Sequence, residues 1–320
     1  MNKESKIYII GHRGLAGSAI VRELQKQGYT NLLLKTSNEV NLLDAVATDK
    51  LFVDEKPEYV FMCAGTVGGI IANKTYPVEF TQNNTLMAIN ILSSAHKHHV
   101  KKLVYLGSSC IYPKESMQPI KEEYLLTGLL EPTNEGYALA KIMGIKLCEY
   151  YRREYNKDFI SVMPSNLYGA NDNYDPENSH VIAGLLYRFH EAKEQNLSEV
   201  VAWGTGTPTR EFIFVDDFAR GTIFAMKNYS DNIHLNIGSG QEISIKELTE
   251  LVAQTIGFTG KIIFDSSKPD GPMRKIMDNT RILAMGWKSE ISLKEGLKLA
   301  YQDYLLALKE NKVHVRKVKI

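Results

Sequence analysis

"KIYIIGHRGLAGSAIVRELQKQG", residues 6–28, sets the architecture. Five apolar-rich residues form a buried strand, and a glycine-punctuated turn then opens into a helical pattern. Gly11, Gly14 and Gly17 follow the strand at three-residue spacing. Glycines there permit a tight turn, close backbone approach to a pyrophosphate, and tight helix–strand packing. The helix that follows presents its free N-terminal amides to the phosphates. The spacing is G-x-x-G-x-x-G rather than G-x-G-x-x-G, so position at the first strand–helix junction carries the reading. The other reading is a structural glycine turn without a ligand.

Outward from this unit the alternation continues. "NLLLK", "EYVFMC", "KKLVYL" and "FISVMP" are strand-like, with helical stretches such as "EFTQNNTLMAINILSSAHKH" between them. Strands apolar on both faces require helices on both sides of a sheet. The expected fold is α/β: a doubly wound parallel Rossmann-type sheet with a smaller mixed α/β C-terminal lobe. Residues 1–165 are expected to bind the dinucleotide, with return segments near 211–240. Residues 166–320 are expected to be mainly the substrate-binding lobe.

Composition narrows the function. The chain has 320 residues and a formal net charge of +1, so no global field recruits nucleic acid or a membrane surface. The basic "HVRKVKI" at residues 314–320 reads as a solvated tail. Three cysteines, Cys63, Cys110 and Cys148, make no disulfide framework. "KIYII" is too short for a signal peptide, and no apolar run approaches the roughly 20 residues of a membrane span. A cytoplasmic location is therefore expected. The "HKHH" cluster (His96, His98, His99) lacks a second ligand group at zinc-site spacing and reads as an exposed helix end, so no metal is expected.

The second strand ends "LLLKTSN", with Lys35 where an acid usually meets the ribose hydroxyls. Arg13 lies inside the glycine loop. Two cations and no carboxylate favour a 2′-phosphate, hence NADPH/NADP+. The alternative is that Lys35 is simply solvated.

"EGYALAKIMG" places Tyr137 and Lys141 four apart, on one helix face. A tyrosine with its ordinary pKa of about 10 is a poor acid–base group. A lysine ammonium and a nicotinamide cation would favour the phenolate. Ser108 sits at the end of the preceding strand, where a hydroxyl can hold a carbonyl oxygen. Ser, Tyr and Lys on a dinucleotide-binding sheet fit hydride transfer between carbonyl and alcohol. Alone, the Tyr–Lys pair is a common helix pairing.

Taken together, "GHRGLAGSAI", "VGGIIANKTYP", "LGSSCIYPK", "YALAKIMGIKLCE", "NLYGANDNYDPENSHVIAGLLYRFHEA", "WGTGTPTREFIFVDD" and "KPDGPMRK" resemble the extended short-chain dehydrogenase/reductase superfamily. Within it they resemble the GDP-L-fucose synthase family of 3,5-epimerase-4-reductases. "GSSCIYP" and "NSHVI" are the specific segments. The resemblance implies a reductase triad of Ser108, Tyr137 and Lys141, and an epimerisation acid–base pair of Cys110 and His180. It implies cofactor contacts from Gly11, Arg13, Gly14, Leu15, Gly17, Lys35, Leu106, Gly107, Ser108, Tyr137, Lys141, Pro164, Asn166, Leu167 and His180. It implies that Arg188, Trp203, Arg210 and Asp270 hold a GDP-4-keto-sugar, and that the chain forms a homodimer through the helices beginning near Glu79 and Asn134.

On the residues alone, Cys110 is a small apolar group at a strand end. His180 could be a helix-start residue, Trp203 a packing residue, and Arg188 and Arg210 surface cations. Cys63 and Cys148 lie in apolar contexts and are expected to be inert. The chain departs from the family pattern at Ser37, Thr66 and Gly136, and in "DGPMRK". Three rival functions follow: processing of another GDP-4-keto-sugar such as a 6-deoxyheptose, redox-neutral NAD-dependent epimerisation or dehydration, and non-catalytic dinucleotide sensing.

Overall fold

A computed structural model describes residues 1–176, 179–267 and 270–315. Asn178 of "NSHVI", Lys268 and Pro269 of "KPDGPMRK", and residues 316–320 of the tail lie outside the described residues.

The first half alternates as its apolar pattern requires. β1 (Ile7–Ile10), α1 (Leu15–Lys26), β2 (Leu32–Leu33), α2 (Ala45–Glu55), β3 (Tyr59–Met62), α3 (Ile70–Thr75), α4 (Pro77–Lys97), β4 (Lys102–Leu106), α5 (Glu135–Tyr155) and β5 (Asp158–Pro164) follow in turn. The second half contains β6 (Asn166–Tyr168), α6 (Val181–Glu194), β7 (Glu199–Trp203), β8 (Thr209–Phe214), α7 (Val215–Asn228) and β9 (Leu235–Ile237). It continues with β10 (Glu242–Ser244), α8 (Ile245–Ile256), β11 (Lys261–Asp265), β12 (Arg274–Lys275), α9 (Thr280–Ala284) and α10 (Leu293–Lys309).

Six strands form one sheet in the order β2-β1-β3-β4-β5-β9, every pair parallel. Successive residues of each strand face opposite sides. Tyr8, Ile10, Met62, Tyr105 and Phe159 enter the core under α2, α4 and α5. Ile7, Ile9, Phe61, Val104 and Ile160 enter the core under α1 and α7. Both faces are buried, so the strands read as unbroken apolar runs. The chain turns from β2's side of β1 to β3 on the other, which opens a crevice at the strands' C-terminal ends.

After β8 the chain crosses back: α7 lies beside α1, and β9 pairs with β5. The rest packs around a third core of Tyr168, Leu186, Phe189, Leu248, Val252 and Leu297, from α6, α8, α10 and nearby strands. There β10, β8 and β12 make a mixed sheet with β6 added to β8, and β11 pairs with β7. Ser244 and Glu247 form a reciprocal cap at the start of α8, satisfying amides that would otherwise be orphaned.

Two surface expectations change. The tail is not wholly solvated, because the Tyr174 amide donates to the His314 carbonyl at 2.9 Å and His314 Nε2 meets Asn171 Oδ1 at 2.9 Å. The histidine cluster at the end of α4 is partly engaged: His96 packs on the rings of Tyr151 and Tyr155, and His98 Nε2 lies 2.7 Å from Asp49. No described helix is long and apolar enough to cross a membrane.

Candidate active site

The crevice begins at the glycine loop. Gly11 adopts φ +82°, a region costly for other residues, and a Cβ there would lie 2.8 Å from the Ala64 amide leaving β3. A Cβ on Gly17 would overlap the Gly11 carbonyl oxygen. Gly14 caps α1 with no side chain on the helix amides. The amides of this twelve-residue helix therefore open onto a cradle kept free of side-chain bulk, which fits a pyrophosphate.

At the end of β4 the chain makes a single 3-10 turn over Ser109–Ile111. Ser108 caps it, its Oγ accepting from the Cys110 amide at 3.5 Å. This places the serine hydroxyl and the cysteine thiol on one short turn facing α5. From α5, Lys141 Nζ donates to the Leu106 carbonyl at 2.9 Å. The ammonium lies 5.1 Å from the Tyr105 ring centroid and 5.8 Å from that of Tyr137. Burial depresses Lys141 to about 8. Burial pushes the Tyr137 phenol well up, with the neighbouring Cys110 adding to it and a Ser108 hydrogen bond opposing it. Ser108, Cys110, Tyr137 and Lys141 are thus brought together. Leu106 ends β4 and Gly107 follows it, and Pro164, Asn166 and Leu167 lie at the β5–β6 junction beside it.

His180 approaches from the other lobe. It is the N-cap of α6 and also exposes its ring, so the helix-start reading and an open imidazole both hold. Its Nδ1 lies 3.0 Å from Asp172 Oδ1, and that carboxylate raises its pKa above the ordinary value. Among the described residues no bond joins Cys110 to His180; they stand on separate elements.

Further out, the Arg188 guanidinium lies 5.2 Å from the Trp203 ring, a cation–π contact on an indole that is 55% exposed. Asp270 accepts from the Thr205 amide at 3.0 Å and its hydroxyl at 2.7 Å. Arg210 donates to its neighbour's carbonyl at Thr209, and Asp270 contributes to its electrostatic surroundings.

Residues 7–238 match the family described as NAD dependent epimerase/dehydratase. The chain belongs to that family. GDP-L-fucose synthase 1 of Arabidopsis thaliana is 54% identical over 304 residues, covering 95% of this chain and 94% of the relative. A GDP-mannoheptose C4 reductase of Campylobacter jejuni, solved with NADP bound, is 40% identical with a TM-score of 0.88, covering 95% and 99% of the two chains. A GDP-L-fucose synthetase of Naegleria fowleri bound to NADP is 28% identical with a TM-score of 0.89, covering 98% and 97%.

In this epimerase/dehydratase chain, three features escaped the sequence reading. Lys35 is not a free cation, since its Nζ lies 3.4 Å from Glu55. An acid does follow β2: Glu39 accepts from the Thr36 amide at 2.8 Å and hydroxyl at 2.7 Å, and acts electrostatically on His12 in the glycine loop. It sits four residues beyond Lys35, past the strand end where a ribose-binding acid usually stands. Asp172, the partner of His180, lies in the polar stretch that precedes it, but nothing in a lone Asp signals a contact eight residues away.

One of the departures has a local reason. Gly136 lets α5 approach α4, because a Cβ there would collide with the Thr81 hydroxyl and lie 3.0 Å from the Pro77 carbonyl oxygen. Thr66 is clamped through its backbone, its amide donating to Asn84 Oδ1 at 3.0 Å and its carbonyl accepting from Asn84 Nδ2 at 2.9 Å.

Proposed function

We propose that this chain is an NADPH-dependent epimerase/reductase that converts GDP-4-keto-6-deoxy-D-mannose to GDP-L-fucose. The observation that carries the reading is the joint placement of Ser108, Cys110, Tyr137 and the anchored Lys141 at the C-terminal end of β4. The glycine cradle, with Arg13, Leu15 and Lys35 around it, suits the adenine half of the cofactor. Leu106, Gly107, Pro164, Asn166 and Leu167 suit the nicotinamide half, with Lys141 and His180 reaching its ribose region. Residues 1–165 with the return near 211–240 serve as the cofactor lobe, and the remainder mainly serves the sugar nucleotide.

The 4-keto group acidifies the hydrogens on C3 and C5 of the sugar. Cys110 and His180 divide the proton traffic: one removes the carbon-bound proton and the other returns one to the opposite face. Charge collects on the C4 oxygen, where the Ser108 hydroxyl and the Tyr137 phenol donate hydrogen bonds. NADPH, when bound, supplies the hydride that reduces C4. Tyr137 gives its phenolic proton to the C4 oxygen, and the Lys141 ammonium stabilises the phenolate that remains. Arg188 and Arg210 are fixed guanidinium forks suited to the diphosphate, and Trp203 offers a stacking face.

Exposed apolar side chains on the paired helices α4 and α5 support a homodimer: Leu86 and Ile89 on one, Leu139 and Met143 on the other. The 40% identity to a GDP-mannoheptose C4 reductase favours a second reading, the same chemistry on a GDP-heptose. Turnover of GDP-4-keto-6-deoxy-D-mannose with stoichiometric NADPH oxidation is expected. Turnover confined to a GDP-4-keto-heptose would select the second reading, and turnover without net NADPH consumption would defeat both.

A further inference from the structure

Asn171 stands where the two lobes meet. Its backbone adopts φ +66°, a left-handed turn that asparagine tolerates better than most residues. From the loop after β6 its side chain reaches two separate segments. Nδ2 donates to Ser18 Oγ of α1 at 3.1 Å, and Oδ1 meets His314 Nε2 at 2.9 Å. Its backbone amide donates to Asp303 Oδ2 of α10 at 3.4 Å. The loop is thus held at one residue by the helix that follows the glycine cradle, by α10 and by the stretch after α10.

The anchor on α1 is itself fixed. Ser18 Oγ donates to the Leu15 carbonyl at 3.1 Å, within the first turn behind the cradle, and accepts from Arg22 Nη1 at 3.2 Å. Arg22 Nη2 pairs with Asp216 of α7 at 2.6 Å. At the other end, Asp172 follows Asn171 across a single peptide bond and is buried. Its Oδ1 accepts from the Asn173 amide at 2.8 Å and faces His180 Nδ1 at 3.0 Å. Its Oδ2 is buried with no hydrogen-bond partner among the described residues. Apart from His180, the described bonds to this carboxylate come from its own loop, so the path of the loop decides where it stands. Contacts therefore run without a break from Ser18 through Asn171 and Asp172 to His180.

We propose that Asn171 is a positioning residue that sets His180 in register with the cofactor, by fastening the Asp172 loop to Ser18 of α1. This rests on the acid–base role assigned above to His180. The reaction needs that register. One sugar ring must offer C4 to the nicotinamide and C3 or C5 to the imidazole in a single pose, and a misplacement of about 1 Å is costly. His180 starts α6 in the other lobe, so its own helix does not align it with the glycine cradle. The Asp172 carboxylate does, because it is tied through Asn171 to the helix that the cradle opens.

The test cuts the link from both ends. Asn171→Gly removes the side-chain amide and keeps a residue that accepts positive φ. Ser18→Ala removes the acceptor on α1 at a helical position, where alanine is favoured, so a folding defect in one variant leaves the other to be read. Two readouts are taken on the full chain: the His180 ring titration by NMR without ligand, and deuterium entry from solvent at C3 and C5 of GDP-4-keto-6-deoxy-D-mannose with NADPH. In both variants the His180 midpoint is expected to fall toward the ordinary histidine value, as the Asp172 carboxylate loses its place. Deuterium entry at saturating substrate should fall about tenfold or more, with a smaller change in KM. The double variant should lose no more than Asn171→Gly alone, because both changes break one link. An unmoved His180 midpoint in a folded variant overturns the proposal, even where deuterium entry falls, and so do losses that add in the double variant. Failure of the His180 reading is separate: it would appear as wild-type deuterium entry in His180→Asn, whatever the titrations show.

Discussion

Lys141 Nζ reaches the Leu106 carbonyl at 2.9 Å, tying the middle of α5 to the end of β4. The bond holds an ammonium 5.8 Å from the Tyr137 ring in a place that water barely enters. Lys141→Met is expected to lower C4 reduction by about 10²–10⁴-fold. A second consequence concerns stability. Lys141 falls from 10.5 to about 8 on folding, so above about pH 8 the unfolded chain holds a proton that the folded chain has released. Stability of the ligand-free protein therefore gains from this group as pH rises from about 8 toward 10.5, by at most about 1.4 kcal/mol per pH unit. Urea unfolding against pH should show that gain in the wild type and lose it in Lys141→Met. Parallel profiles would contradict it.

Asp172 raises the pKa of His180 through a 3.0 Å contact. Asp172→Asn should therefore shift the His180 ring titration, followed by NMR, to lower pH. The sign for stability follows from the raised pKa. The pair stabilises the fold fully below the ordinary histidine value, and that contribution is lost as pH rises through the folded one. An unmoved His180 midpoint in Asp172→Asn would show that the carboxylate does not govern it.

Gly17→Ala places a methyl group against the Gly11 carbonyl oxygen. The loop must open, at a cost of about 1–3 kcal/mol. Thermal unfolding should fall accordingly, and NADPH affinity, measured by fluorescence titration, should weaken. Wild-type values for both would mean the cradle tolerates bulk and is not shaped by close approach.

Leu139→Glu combined with Met143→Glu puts two charges on the exposed apolar face of α5. Sedimentation should show a dimer in the wild type and a monomer in the double variant. A monomeric wild type, or a dimer that survives both charges, would move the interface away from these helices.

Much of this was legible in the chain. The five early strands were readable because a doubly covered sheet needs unbroken apolar runs, and helix α5 because Tyr137 and Lys141 must share a face. What stayed hidden depends on contacts between distant segments. Lys275 lies beside Arg210 only because β12 pairs in register with β8, a relation no local pattern encodes. Asp172 meets His180 through the path of an irregular loop. Lys35 looked like a free cation because its partner, Glu55, comes from the far end of α2. The tail looked solvated because His314 is held by Tyr174 and Asn171, which lie about 140 residues away in the chain.

The most direct test of the mechanism is the reaction of GDP-4-keto-6-deoxy-D-mannose with NADPH in deuterium oxide, run with wild type, Cys110→Ser and Tyr137→Phe and read by NMR of the sugar. Wild type should give GDP-L-fucose carrying deuterium at C3 and C5, with one NADPH consumed per product. Cys110→Ser should lose deuterium entry at those carbons while C4 reduction stays possible, and Tyr137→Phe should keep some deuterium entry while reduction collapses. Deuterium entering Cys110→Ser at the wild-type rate, or NADPH oxidised normally by Tyr137→Phe, would contradict the division of labour between thiol and phenol.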